Sequence, residues 1–132
     1  MKPKEPCPCG SGRSYAECCA RWHAGDAAPT AEALMRSRYC AYVLQLADYL
    51  KATWHPDTRP AELDLDETPA PKWIGLSILA SGEISDAEAF VEFVARYKLG
   101  GRAHKLHEKS RFRRIEGRWY YLDGEFPDAA TK

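Results

Sequence analysis

The sequence has no long apolar run. Its hydrophobic stretches last only a few residues, and a membrane-crossing helix needs about 20. The opening MKPKEPCPCG has no apolar core of the kind an export signal carries. These two absences predict a cytoplasmic protein that does not insert into membranes. Net charge is also missing: 19 Lys and Arg balance 19 Asp and Glu. Affinity for a polyanion would therefore have to come from local clustering. Internal repeats and low-complexity tracts are absent. So are a nucleophile–base–orienter set, a phosphate-cradling glycine loop and a catalytic metal motif, so no reaction is legible. With 132 residues, 45% of them hydrophobic and 29% charged, the chain reads as one ordinary domain or one domain with a small appendage.

What is present is concentrated at the front. Four of the five cysteines fall between Cys7 and Cys19, as Cys-x-Cys, eight residues, then Cys-Cys. A reducing compartment argues against a disulfide staple, and a bridge between the adjacent Cys18 and Cys19 would be strained. The Cys-x-x-Cys of a redox centre is missing, and the spacing is not that of a ferredoxin. Two short thiolate arms brought together by a loop suit tetrahedral zinc. Cys7 and Cys9 form one arm, stiffened by Pro8, with Gly10 and Gly12 letting the chain reverse. Cys18 and Cys19 form the other, provided the backbone kinks between them near a helical turn capped by Ser14. His23 is an alternative ligand, and iron or redox use remains open on spacing alone. A closed four-thiolate site is structural, with no open position for water. Residues 1–25 are too short to fold without such a cross-link. Metal removal is expected to disorder them and leave the remainder folded. Cys40 reads as a small buried hydrophobe.

After a linker at Gly25–Pro29, Thr30 is an N-cap candidate. Met35, Tyr39, Tyr42, Leu46, Tyr49 and Thr53 then follow helical periodicity, widened by Leu34, Val43, Leu50 and Trp54. This predicts one long helix ending before His55-Pro56, with Asp48 able to cap a shorter second piece. Residues 57–72 read as a long loop, with one helical turn near Pro60–Leu63. Trp73–Leu79 reads as a strand, followed by a turn beginning at Ser81-Gly82. Period-two alternation over 88–97 predicts a second strand with Ala89, Val91, Phe93, Ala95 and Tyr97 on one apolar face. Gly100-Gly101 turns into a strand over 103–115, and Glu116-Gly117 forms a hairpin to a last strand, Trp119–Leu122. The fold class is α+β: an N-terminal zinc knuckle (1–25), then a long helix packed on a curved antiparallel sheet (30–132).

Cys7-Pro8-Cys9-Gly10-Ser11-Gly12, Tyr15 and Cys18-Cys19 resemble the SEC-C motif, best known as the zinc-binding C-terminal tail of the SecA translocation ATPase. The resemblance implies one structural zinc ion on Cys7, Cys9, Cys18 and Cys19, and docking to a chaperone or ribosomal surface. The stretches LMRSRYCAYV, DYLKATWHP, VEFVARYK, LHEKSRF and GRWYYLDG resemble the YchJ-like family across nearly the whole chain. That likeness implies a nuclear-transport-factor-2-like cone, a fold that often holds a pocket between helix and sheet. Some such cones carry out acid–base chemistry.

Pocket candidates are Tyr39, Tyr42, Trp54, Glu108 and Trp119, with His55, His107, Ser110 and Arg111 also considered. Glu108 shares a strand face with Leu106, Ser110 and Phe112. It reads either as a general base or as a buried acid paired with Arg36 or Arg38. His107 lies on the opposite, solvated face.

The leading expectation is a non-enzymatic adaptor whose knuckle docks a protein or ribosomal partner, with Arg13 and Arg21, beside Lys2 and Lys4, meeting an acidic surface. The stretch Arg102–Arg118 holds seven Lys and Arg against Glu108 and Glu116. It reads as a solvated strand face or as a second, polyanion contact. The alternatives are an enzyme or small-ligand binder using the cone pocket, and a metal-delivery protein.

Overall fold

The computed structural model describes residues 4–61, 63 and 71–126. A single 3-10 turn over Tyr15–Glu17 leads into α1 (Cys19–His23), followed by α2 (Ala31–Leu44) and α3 (Ala47–Ala52). Four strands follow: β1 (Lys72–Ser85), β2 (Glu88–Leu99), β3 (Arg102–Ile115) and β4 (Arg118–Glu125). They form an antiparallel meander in the order β1-β2-β3-β4. The result is an α+β domain with one sheet and few helices.

Local sequence accounts for most of these boundaries. The Thr30 side chain accepts from the Ala33 N–H at 3.0 Å and caps α2. The stretch read as one long helix, with a shorter second piece allowed at Asp48, is two helices, because Gln45 adopts a left-handed conformation (φ 59°, ψ 47°). Leu46 occupies the N-cap of α3, and Asp48 sits within its first turn, where the dipole favours an acid, rather than at the cap. Glu116-Gly117 makes the hairpin expected of it, with φ of 51° and 84°, the pair of positive angles a type I′ turn requires.

The turn expected at Ser81-Gly82 does not occur. Both residues lie inside β1, paired with Val91 and Phe90, and the chain reverses at 86–87 instead. β1 carries three register shifts against β2, and β3 carries one against β4 at Arg111/Phe112. Such irregularities bend a strand and increase its twist. The helical turn expected near Pro60–Leu63 is not seen at Pro60, Ala61 or Leu63, and position 62 lies outside the described residues.

The core lies where α2 meets the inner sheet face. Ala89, Val91, Phe93 and Ala95 of β2 are buried there, as are Glu108, Ser110 and Phe112 of β3. α2 is buried on two sides. Toward the sheet it presents Met35, Arg38, Tyr39 and Tyr42. Away from the sheet, Ser37 and Cys40 pack against the N-terminal segment, whose four cysteines belong to the same buried cluster as Leu34 and Met35.

The chain after α3 is tied to β4. Trp54 bridges Tyr121, the His55 N–H donates to Tyr121 O at 2.7 Å, and the Tyr121 N–H donates to Thr53 O at 2.8 Å. This strap fixes Trp54 and Tyr121 edge to face, with ring centres 5.1 Å apart.

Candidate metal centre and adjoining cavities

A short hairpin builds the first thiol arm. The Cys7 N–H donates to Arg13 O at 2.9 Å and the Tyr15 N–H to Glu5 O at 2.8 Å, while Gly10 and Gly12 take φ of 79° and 86° at the reversal. Ser14 caps the following turn by accepting from the Glu17 N–H. Cys18 has φ −124° and ψ −112°, which is the kink that lets adjacent side chains converge. The Sγ atoms of Cys7, Cys9, Cys18 and Cys19 lie within 4.8 Å of one another, with Cys9–Cys18 at 3.5 Å and Cys18–Cys19 at 3.9 Å. A tetrahedron with metal–thiolate arms of about 2.3 Å has edges of about 3.8 Å. The four cysteines could therefore hold a metal ion.

Exposure of the four is 5% or less. Hydrogen bonding from Cys19, then Cys40, pulls Cys7 below the ordinary thiol range. Cys19 is pushed far up, chiefly by Cys40 and then Cys7. The outer groups suit thiolates as well. The Ser11 hydroxyl lies 3.1 Å from Cys18 Sγ, and Arg36 Nη1 donates to Cys9 O at 2.7 Å, tying α2 to the metal loop.

His23 is not among the ligands. Its Nε2–H donates to Ser37 O at 2.9 Å and its Nδ1 accepts from the Tyr15 hydroxyl at 2.7 Å. Burial lowers its pKa, in keeping with this neutral bonding pattern. Cys40 is fully buried, as expected, but its Sγ also lies 3.9 Å from Cys7 Sγ. Sequence reasoning missed that contact, and only the packing of α2 against the hairpin reveals it.

A groove of about 450 Å³ runs beside Cys18 and Cys19 to the first turn of α2. Arg13, Arg21 and Arg36 line it against one acid, Glu32, which pairs with Arg36 at 3.2 Å. Arg21 also stacks on Trp22, with 4.5 Å to the ring centre. Arg13 and Arg21, singled out by charge alone, thus share one groove.

Tyr39, Tyr42, Trp54 and Glu108 line a second cavity, of about 240 Å³, between α2 and the sheet. Trp119 does not join them. It is buried beside a third cavity, bounded by α1, α3 and the 25–28 linker, and Arg114 stacks on it at 4.4 Å. Glu108 is buried without a direct ion pair to Arg36 or Arg38. Its Oε2 accepts from the Ser110 hydroxyl at 2.6 Å and the Tyr121 hydroxyl at 2.9 Å. Burial first, then the neighbouring Glu108, raises the Tyr121 pKa, so its hydroxyl stays a donor.

Arg38 is 4% exposed, and its Nη1 donates to Leu50 O at 2.8 Å and to Thr53 Oγ1 at 2.7 Å. Its guanidinium lies over the rings of Trp54 and Tyr121, at 5.0 and 4.7 Å. Tyr121 was not foreseen, although it stands opposite Phe112 on the neighbouring strand, where alternation from Glu108 leads.

The remaining candidates lie elsewhere. His55 is buried and accepts from the Asp57 N–H at 3.0 Å. His107 meets Glu92 at 2.7 Å on the outer face, and Arg111 makes a two-pronged pair with Asp123 at 2.7 and 2.6 Å. Arg113 and Arg114 face Glu88 and Glu83 at 3.9 and 3.7 Å. The basic stretch on β3 is therefore laced with acids from β1, β2 and β4.

Residues 30–124 match the model of the YchJ middle NTF2-like domain, and residues 4–21 match the SEC-C motif. The chain belongs to the YchJ-like family. It is 56% identical over 128 residues to a UPF0225 protein of Bordetella pertussis, covering 93% of this chain and 96% of that one. A UPF0225 protein of Streptomyces coelicolor is also 56% identical, over 129 residues, covering 96% of this chain and 99% of the relative. Two solved structures have the same fold. The solution structure of a SEC-C motif containing protein from Rhodopseudomonas palustris superposes with a TM-score of 0.79 at 38% identity, covering 91% of this chain and 97% of the other. The crystal structure of a SEC-C motif containing protein from Psychrobacter arcticus gives 0.78 at 30% identity, with 92% and 82% covered. No helix among the described residues of this YchJ-like chain is long and apolar enough to cross a membrane.

Proposed function

We propose that this YchJ-like protein is an adaptor. One structural zinc ion on Cys7, Cys9, Cys18 and Cys19 holds its SEC-C segment in shape to dock an acidic segment of a protein partner. Zinc is the ion favoured by four converging thiols with no open coordination position and no need for redox change. Free thiols of this kind persist in the cytoplasm, where the reading places the protein.

The observation that carries the docking role is the groove beside Cys18 and Cys19, where Arg13, Arg21 and Arg36 outnumber a single acid. The metal sets its wall, so metal loading and docking are coupled. The Arg102–Arg118 stretch is left out of the proposed contact, because Arg111, Arg113 and Arg114 already face acids across the sheet. A small-ligand role in the cavity between α2 and the sheet is the second reading, favoured by its buried Arg38 and Glu108.

The test is affinity capture with metal-loaded wild type, an Arg13→Glu/Arg21→Glu variant, a Cys18→Ser/Cys19→Ser variant and an Arg111→Glu control, followed by salt-dependent binding to each captured protein. The reading expects one acidic protein to be lost from the first two variants and kept by the control. Retention by Arg13→Glu/Arg21→Glu would sink it. Co-sedimentation with ribosomes that survives removal of acidic proteins would replace it with an RNA contact.

A further inference from the structure

The cavity between α2 and the sheet has an uneven polar wall. Its rings come from every layer: Tyr39 and Tyr42 on α2, Trp54 after α3, Trp73 on β1, Phe93 on β2 and Tyr121 on β4. Among its polar groups, three are not fully bonded within the described residues. Arg38 is buried and forms no salt bridge among the described residues, and both of its hydrogen bonds leave from Nη1. The Trp54 indole N–H is buried with no acceptor among the described residues. Both hydrogen bonds to Glu108 fall on Oε2, and no donor among the described residues reaches Oε1. Ser110 and Tyr121 orient the carboxylate from one side, so its other oxygen is the spare acceptor.

Buried polar groups are normally paired, and each one left unpaired carries a desolvation cost. Here the Trp54 N–H is such a buried donor, and Arg38 and Glu108, each bonded through one terminal atom only, line the same aromatic space. Ligand charge is constrained too. Arg38 and Glu108 already interact across the cavity with opposite sign. An anion would meet the Glu108 carboxylate and a cation would meet Arg38, while either would carry an uncompensated charge into an apolar space. The flat, ring-lined walls favour a planar molecule. The glycine at position 124 fits the same design. A Cβ there would overlap the Glu108 carboxylate, lying 2.6 Å from Cδ, so β4 leaves room for the acid to stand at the cavity wall.

From these features we infer that the cavity binds a small, flat, uncharged heterocycle with a lactam edge. Its C=O accepts from Arg38 and the Trp54 indole, and its N–H donates to Glu108. The volume of about 240 Å³ suits one or two fused rings. This site is separate from the metal centre and its groove, so it stands or falls independently of the docking role.

The test titrates 2-quinolinone into ¹⁵N-labelled, metal-loaded full-length protein and follows the four tryptophan indole N–H signals. Naphthalene and benzoate serve as the ring-only and anionic probes. The Trp54 signal is expected to move downfield with saturation, while that of Trp119, which also lacks an acceptor but borders another cavity, stays in place. Glu108→Gln keeps the shape of the wall, and Trp54→Phe removes the indole N–H while keeping one aromatic ring there. Each is expected to weaken 2-quinolinone about tenfold, the effect of one lost hydrogen bond, with the other backbone signals unchanged. A Trp54 signal unmoved at millimolar 2-quinolinone overturns the inference. So does equal affinity for naphthalene or benzoate, or undiminished binding by both variants.

Discussion

Removing the metal should weaken the whole domain, beyond the release of its first residues. The cysteine hairpin covers one side of α2. Arg36 donates to Cys9 O, His23 donates to Ser37 O, and Cys40 packs on Cys7 beside the buried Leu34. Exposing Leu34 costs about 2 kcal/mol, and each lost hydrogen bond about 1 kcal/mol. The minimum is therefore about 4 kcal/mol, against a total of about 5–15 kcal/mol for an ordinary domain. At about 4 °C per kcal/mol for a chain of this size, the melting temperature should fall by about 15 °C. Calorimetry with and without a strong chelator reads that shift, and hydrogen exchange by mass spectrometry locates it. Protection should drop in 31–44 as well as in 4–24. Free exchange confined to 4–24, with α2 fully protected and a melting shift under about 5 °C, would refute the coupling. That outcome is also what the sequence by itself led one to expect.

Two further predictions concern buried polar groups. Gly124→Ala should destabilise the protein by about 2–3 kcal/mol in urea titrations, because the new methyl overlaps Glu108; adding Glu108→Ala should recover part of the loss, and an additive double mutant would show that the clash is not its cause. His23 should titrate below its ordinary value of 6.5, since burial disfavours its charged form. The unfolded chain then binds the extra proton first, so this contribution to stability is intact above about 6.5 and is lost as pH falls below it. An NMR midpoint at or above 6.5 would mean that the Tyr15–His23–Ser37 chain is not formed.

The cysteine cluster was legible in the sequence because its geometry is local: thirteen residues hold all four thiols, and two glycines and a cap set their approach. The hairpin at Glu116-Gly117 and the inward faces of β2 and β3 were legible for the same reason, since alternation is a property of one strand. What could not be read depended on partners distant in sequence. Cys40 meets Cys7 only because α2 lies across the hairpin. Gln45 breaks the helix without the glycine that usually marks such a site. Ser81-Gly82 looked like a turn but pairs in β1, where a bulged edge accommodates both. Glu108 was placed on the correct face beside Ser110, yet its partner Tyr121 emerged only from strand register, which also removed Trp119 from its cavity.

Everything proposed for the docking groove rests on the cysteine centre. X-ray absorption at the zinc edge, on protein purified under reducing conditions, tests it most directly. The account predicts one zinc per chain with four sulfur neighbours at about 2.3 Å. A first shell containing nitrogen or oxygen, or protein folded with far less than one zinc per chain, would contradict it.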